Sequence, residues 1–416
     1  MGRIVNLCIG LLLWLITNQI AVAEVIKVGS DHPYSKISDA IAAAAPFDTV
    51  LLANETFFEI NIRIDKPLTL KGTHASIIDG ELQDEILVIA ADSVVVSGIT
   101  VQNVGYSFIK DRAGIRVEEK DYALIENCQL FNTFFGVYLQ KSNHTTVRGN
   151  LIEGSDGSSE TYTGNAIHMW YCEEILVENN ITRYHRDGIY LEFVNHSEVH
   201  GNTSFRNIRY GLHFMFSNYD NYSYNTFEDN GSGVAVMFSK WINMKHNRFL
   251  NNWGSASFGL LLKEIYDGEL SNNLFEDNTI AIHAEGANRI LIANNVLRNN
   301  GWALKIMGNC FENRIEKNNF LGNNFNVATN SRKTMDTYEE NYWDDYSGYD
   351  LDEDGFGDVP HRPVKLFAYI VERVPISIVM LRSLFIEMIN VAEYIIPSLT
   401  PENLVDSNPV LQPHPL

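Results

Sequence analysis

One short phrase recurs along this chain, in most steps after 22 or 23 residues. Gly188-Ile189-Tyr190-Leu191 returns as Gly211-Leu212-His213-Phe214 and again as Gly233-Val234-Ala235-Val236. Further copies begin at Gly114, Gly136, Ala166, Gly259, Ala281 and Ala303. Within each copy apolar residues alternate with a period of two, which specifies a strand. A repeat of this length made of short strands and turns specifies a solenoid. A second phase carries Asn202, Asn225, Asn247, Asn273, Asn295 and Asn318. The expected fold is therefore all-β, a right-handed parallel β-helix whose coils stack at roughly 4.8 Å. Inward residues fill a narrow apolar core. Asn is expected to take left-handed backbone at the corners and to bond along its own stack.

The rest of the chain frames this solenoid. Residues 1–23 read as a secretory signal peptide: Arg3, an apolar run from Ile4 to Ile16, and Ala21-Val22-Ala23 as the cleavage site. The run is too short for a membrane span, so a soluble exported protein is expected, with an uncleaved membrane anchor as the alternative. Residues 24–75 form an N-terminal cap, with a short helix over Ser35–Ala45 closing the end of the core. The β-helix occupies 76–345, an acidic loop 346–364, and a C-terminal helix and tail 365–416. The helical stretch is apolar but interrupted by Arg382, Glu387 and Glu393, so it is not a span. It either covers the open end of the solenoid or docks onto a membrane protein. The Pro-rich tail from Pro397 reads as extended. Three mature cysteines, Cys128, Cys172 and Cys310, are an odd number and no disulfide framework. A net charge of −21 argues against nucleic acid as a partner.

In the pattern Gly-apolar-x-apolar the apolar pair points in and x points out. Stacking the coils gives one outward column of Tyr138, His168, Tyr190, His213, Ala235, Leu261 and His283. A second column, two residues further on, holds Trp170, Glu192, Met215, Met237, Lys263 and Glu285. Met215 and Met237 become neighbours, with His213 beside Met215. Two thioethers and an imidazole form a soft ligand set, which selects Cu(I). The plain alternative is that these methionines cover surface or meet a partner. Met169 and Cys172 suggest a second soft cluster. Phe193, Phe216 and Phe238 are expected to stack inside the core, while Tyr190, Tyr210, Trp170 and Trp241 form an aromatic docking face. Near the end, Asp350, Asp352 and Asp354 precede Gly355 in the spacing of a calcium loop, with Asp358 as a further ligand. His361 stands where the bidentate Glu of such a loop belongs, and an acidic turn that merely ends the solenoid is the alternative.

The segments GNAIHMWYC, HRDGIYLEFV, RYGLHFMFSN, GVAVMFSK, FGLLLKEI, NGWALKIMGNC and YWDDYSGYDLDEDGFGDVPHRPVKLF together resemble the NosD family. The resemblance covers nearly the whole mature chain. It implies a periplasmic β-helix, without enzymatic activity, that assists assembly of the copper centres of nitrous oxide reductase. It also implies an ABC transporter of permease and ATPase, a copper chaperone lipoprotein that hands over Cu(I), and the reductase as recipient. Copper or sulfur is the implied cargo. The family's ligands do not transfer residue by residue. His213, Met215 and Met237 come from the column argument, and His168 and Met169 join them because the His-Met-Trp motif lies on the same face. The rival reading is a polysaccharide-binding or polysaccharide-processing β-helix. Processing needs paired carboxylates or a calcium-bound uronate, yet Glu192 is followed in its column by Met215 and no acidic cluster forms on that face.

Overall fold

The computed structural model describes residues 23–107, 109–155, 157, 163–331, 335–381, 383–395 and 404–415. The signal-peptide reading lies almost wholly outside them. The chain is a right-handed parallel β-helix. Among the described residues three parallel sheets of 14, 12 and 13 strands run its length. Each coil contributes one strand to each sheet, as in Asp187–Glu192, Glu198–His200 and Thr203–Phe205. The 12-stranded sheet carries the Gly-initiated phrase and its longest strands.

The interior is apolar and stacked. Phe249 and Phe275 lie face to face with ring centroids 4.3 Å apart, and Phe227 packs on Phe249 at 5.5 Å, tilted by 33°. Stacked rings of this kind add to the burial of their own area. At one corner Asn202, Asn225, Asn247, Asn273, Asn295 and Asn318 form a buried ladder. In each step the backbone N–H and the side-chain amide of one Asn donate to the next side-chain carbonyl, at 2.8 and 3.0 Å for Asn202 and Asn225. The amide also donates to a main-chain carbonyl inside the coil, Val177 in that case. A second ladder of Asn207, Asn230, Asn252, Asn278 and Asn300 runs along the next corner, which the sequence reading left out.

The left-handed backbone does not fall on the ladder asparagines. It falls on the residue before each of them: Tyr224, His246, Asn272, Asn294 and Lys317 have φ of 55° to 58°. The ladder side chain must point into the core to reach its neighbours. The strained turn is therefore displaced by one residue, onto a side chain that points out.

Both ends are closed. At the start, helix α1 (Ile37–Ala43) buries Ile37, Ala40 and Ile41 over the first coil. At the far end the expected single helix is three pieces: α2 (Leu366–Arg373), a 3-10 turn (Pro375–Met380) and α3 (Leu384–Ile395). Pro375 supplies no N–H and breaks the helix there. Helix α2 caps the solenoid, with Phe367, Ala368 and Val371 buried against Phe325. Residues 404–415 then return to the solenoid instead of trailing away. Asp406 is fully buried, and its Oδ2 accepts from the Asn341 N–H, the Asn341 amide and Trp343 Nε1 at 3.0–3.1 Å. It ends the Asn ladder where no further coil exists to do so. Asp406→Ala should therefore cost about 2–4 kcal/mol, since it leaves buried donors unpaired. Urea unfolding followed by circular dichroism measures this, and an unshifted midpoint would show that the tail is incidental.

Candidate metal-binding wall

The outward face of the 12-stranded sheet carries the two columns in register. Tyr138, His168, Tyr190, His213, Ala235, Leu261 and His283 pair successively across strands. So do Trp170, Glu192, Met215, Met237, Lys263 and Glu285. Met215 and Met237 are direct register partners, both half-buried. The Tyr190 hydroxyl donates to Met215 Sδ at 3.5 Å, which fixes that thioether on the outer wall. His213 is buried on the same strand as Met215, and its ring packs against Tyr190 and Tyr210.

Met169 does not join them. It has no exposed surface and points into the core, as its parity in the strand dictates. Cys172 is likewise buried, with its thiol against the Leu139 and Trp170 carbonyls. No exterior cluster of Met169 and Cys172 exists. His168 faces outward one column step from Tyr190, but two coils separate it from His213. Its Nδ1 accepts from the Asn165 amide at 3.0 Å. With Glu85, Arg116, Tyr138, Trp170 and Glu192 it lines a groove of about 510 Å³ beside the methionine pair.

Phe193, Phe216 and Phe238 are not core residues. Phe216 and Phe238 are 40% and 41% exposed, and with Tyr171 they stack along an exterior corner at centroid spacings of 4.5–5.2 Å. Each sits in left-handed backbone just after its strand, where the in–out alternation has already ended. His196, Tyr219 and Trp241 form a second exterior stack nearby.

Sequence reasoning missed the carboxylate behind His213. Asp187 opens its strand, is fully buried, and receives Arg209 Nε and Nη2 at 2.9 and 2.5 Å. Burial alone would raise its carboxyl, but hydrogen bonds from His213 and Arg209 outweigh that and hold it below the ordinary carboxylate range. The signal was available. Other copies of the phrase place Tyr210, Ser232, Phe258, Ile280 or Trp302 at that position, and only this copy has an acid.

At the acidic loop, Asp350, Asp352 and Asp354 bring carboxylate oxygens within 4.8 Å of one another. Asp358 is turned to the Leu351 N–H. Repulsion from Asp354 leads the rise of the Asp352 carboxyl above its ordinary value.

Burial pushes four histidines down: His168 to about 3, His185 to about 4, His283 to about 4, from an ordinary value of 6.5, and His361 below that value as well. These groups are neutral when folded and take up protons more readily when unfolded. Their contribution is complete above pH 6.5 and is lost as pH falls toward 4 and then 3. The urea midpoint should hold steady above pH 7 and drop between pH 6.5 and 4; a flat midpoint across that window would contradict the burial.

The residues around this wall match known proteins. Residues 155–348 match a family described as periplasmic copper-binding protein (NosD), and residues 84–218 match the right handed beta helix region. A probable ABC transporter binding protein NosD of Pseudomonas aeruginosa is 27% identical over 400 residues, covering 85% of this chain and 86% of the relative. Over that span and along most of its length the chain is similar to the NosD family. A NosD of the same description from Stutzerimonas stutzeri is 26% identical, with 84% of each chain covered. The matched span 155–348 takes in His168, Asp187, His213, Met215 and Met237, so the wall lies inside the matched region.

Solved structures share the fold alone. The catalytic unit of an α-1,3-glucanase from Streptomyces thermodiastaticus superposes with a TM-score of 0.57 at 12% identity, over 74% of this chain and 65% of that one. An exopolygalacturonase of Yersinia enterocolitica gives 0.50 at 8% identity, over 76% and 78%. Among the described residues no helix is long and apolar enough to cross a membrane.

Proposed function

We propose that this chain is a periplasmic accessory protein that carries Cu(I) on the outer wall of its solenoid for maturation of the copper centres of nitrous oxide reductase. The supporting observation is the register pairing of Met215 with Met237 beside His213, a soft donor set on a rigid sheet. The family description as copper-binding and periplasmic supports the same reading. The protein holds and passes its cargo without catalysis. Sulfur is the alternative cargo for the same wall, and a copper chaperone lipoprotein supplies the ion. Titration of the purified protein with Cu(I) against a chromophoric chelator tests this. One tightly held Cu(I) per chain is expected. No uptake, together with retention on an acidic polysaccharide column, would favour the sugar-binding alternative.

The relatives' description as ABC transporter binding proteins supports a permease and ATPase complex as partner. The far end of the solenoid offers a fitting surface. Beyond the capping α2, the 3-10 turn and α3 expose Ile376, Val379, Leu384, Phe385, Met388 and Val391, an apolar face that the described residues leave open. Leu384→Glu with Met388→Glu should abolish co-purification with the permease and leave the solenoid folded. Retained co-purification would remove the face from the docking surface.

Calcium at Asp350, Asp352, Asp354 and Asp358 is a separate proposal. Millimolar Ca²⁺ should raise the melting temperature of the wild type and not of Asp352→Asn. Equal responses of the two proteins would dismiss it.

A further inference from the structure

We infer that Asp187 is a positioning residue that presents the Nε2 atom of His213 to Cu(I). The inference rests on the copper reading above. Its basis is the set of contacts behind the imidazole. Asp187 Oδ2 lies 3.4 Å from His213 Nδ1, and the carboxylate is otherwise saturated by the Arg209 fork and the Tyr210 N–H. Arg209 Nη2 lies 3.5 Å from Nδ1 as well; its second hydrogen would serve Nδ1 only with the ring proton on Nε2, and the hydrogen bond from His213 that helps hold the Asp187 carboxyl down favours the proton on Nδ1. A carboxylate only accepts, so the ring proton belongs on Nδ1. The lone pair is then left on Nε2.

That second nitrogen is the independent observation. Nε2 of His213 is buried and has no hydrogen-bond partner among the described residues. A buried polar atom without a partner asks for an explanation, and on this face, beside the methionine pair, a metal supplies one. A carboxylate that fixes the tautomer of a histidine while its other nitrogen faces a metal is a recurring arrangement around metal sites. The same column offers a contrast. His168 has the Asn165 amide behind its Nδ1, not a carboxylate, and His283 has no partner at Nδ1 among the described residues. His213 alone of the three combines a carboxylate behind it with methionines beside it.

Asp187→Asn keeps the shape, removes the charge and replaces one of the two acceptor oxygens with a donor. It should weaken Cu(I) binding about 10–100-fold, the usual cost of losing such an outer partner. X-ray absorption at the copper edge should show the nitrogen scatterer weakened and both sulfurs retained. In a His213→Asn background the same substitution should cost nothing further, because its effect runs through the imidazole. Unchanged affinity and an unchanged nitrogen shell in Asp187→Asn would overturn the inference, as would an equal loss in the His213→Asn background. If Asp187→Asn does not fold, nitrogen-15 spectra of histidine-labelled wild type loaded with Cu(I) decide the matter, with the His213 signal identified by its absence in His213→Asn. Copper on Nε2 with the proton on Nδ1 is expected, and copper on Nδ1 would refute it. Failure of the copper reading is a separate result: Met215→Leu/Met237→Leu would then bind Cu(I) as the wild type does.

Discussion

Met215→Leu combined with Met237→Leu should weaken Cu(I) binding at least about a hundredfold, or about 2.8 kcal/mol at roughly 1.4 kcal/mol per tenfold. Leucine removes both soft donors and nearly keeps their volume, and swaps of this kind cost less than about 1.5 kcal/mol in stability. Both side chains are half-buried on the outer face, which lowers that cost further. The prediction thus separates binding from folding. Chelator competition reads the first and thermal melting the second. Affinity within threefold of the wild type would remove the methionine pair from the site.

The second large effect concerns the scaffold. Asn247→Ala should destabilise the protein by about 3–5 kcal/mol, because one truncation strands several buried groups at once. The Asn247 amide donates to Asn273 Oδ1 and to the Tyr222 carbonyl. Its own carbonyl accepts the Asn225 backbone N–H and amide. Alanine leaves the Asn225 backbone N–H and one hydrogen of its amide without partners, and takes a donor from the Tyr222 carbonyl and from Asn273 Oδ1, all in the buried interior. Each coil contacts mainly its neighbours, so the damage should spread along the stack instead of staying local. Hydrogen exchange would show amides of the coils around Asn225 and Asn273 losing protection together. Loss confined to residues 245–249 would contradict a cooperative ladder.

The repeat made the columns legible because a strand has a strict period of two and every coil pairs in the same register. Met169 was placed with the metal candidates through its motif, against that parity, and the core claims it. Phe193, Phe216 and Phe238 were misplaced for the complementary reason. Each lies one residue past its strand, in left-handed backbone, where parity no longer predicts direction. Pro375 was visible in the sequence as a helix breaker and was passed over. The contact of Asp187 with Arg209 and His213 was not legible in the same way. Arg209 precedes the next strand, Tyr210–Met215, and its fork reaches back across a coil in a manner no spacing rule encodes.

One measurement bears most directly on the soft wall: anomalous diffraction at the copper edge from crystals grown with Cu(I). A single strong peak bounded by the sulfurs of Met215 and Met237 and by Nε2 of His213 is the expected result. A peak elsewhere on the chain, or none at saturating Cu(I), would contradict the account.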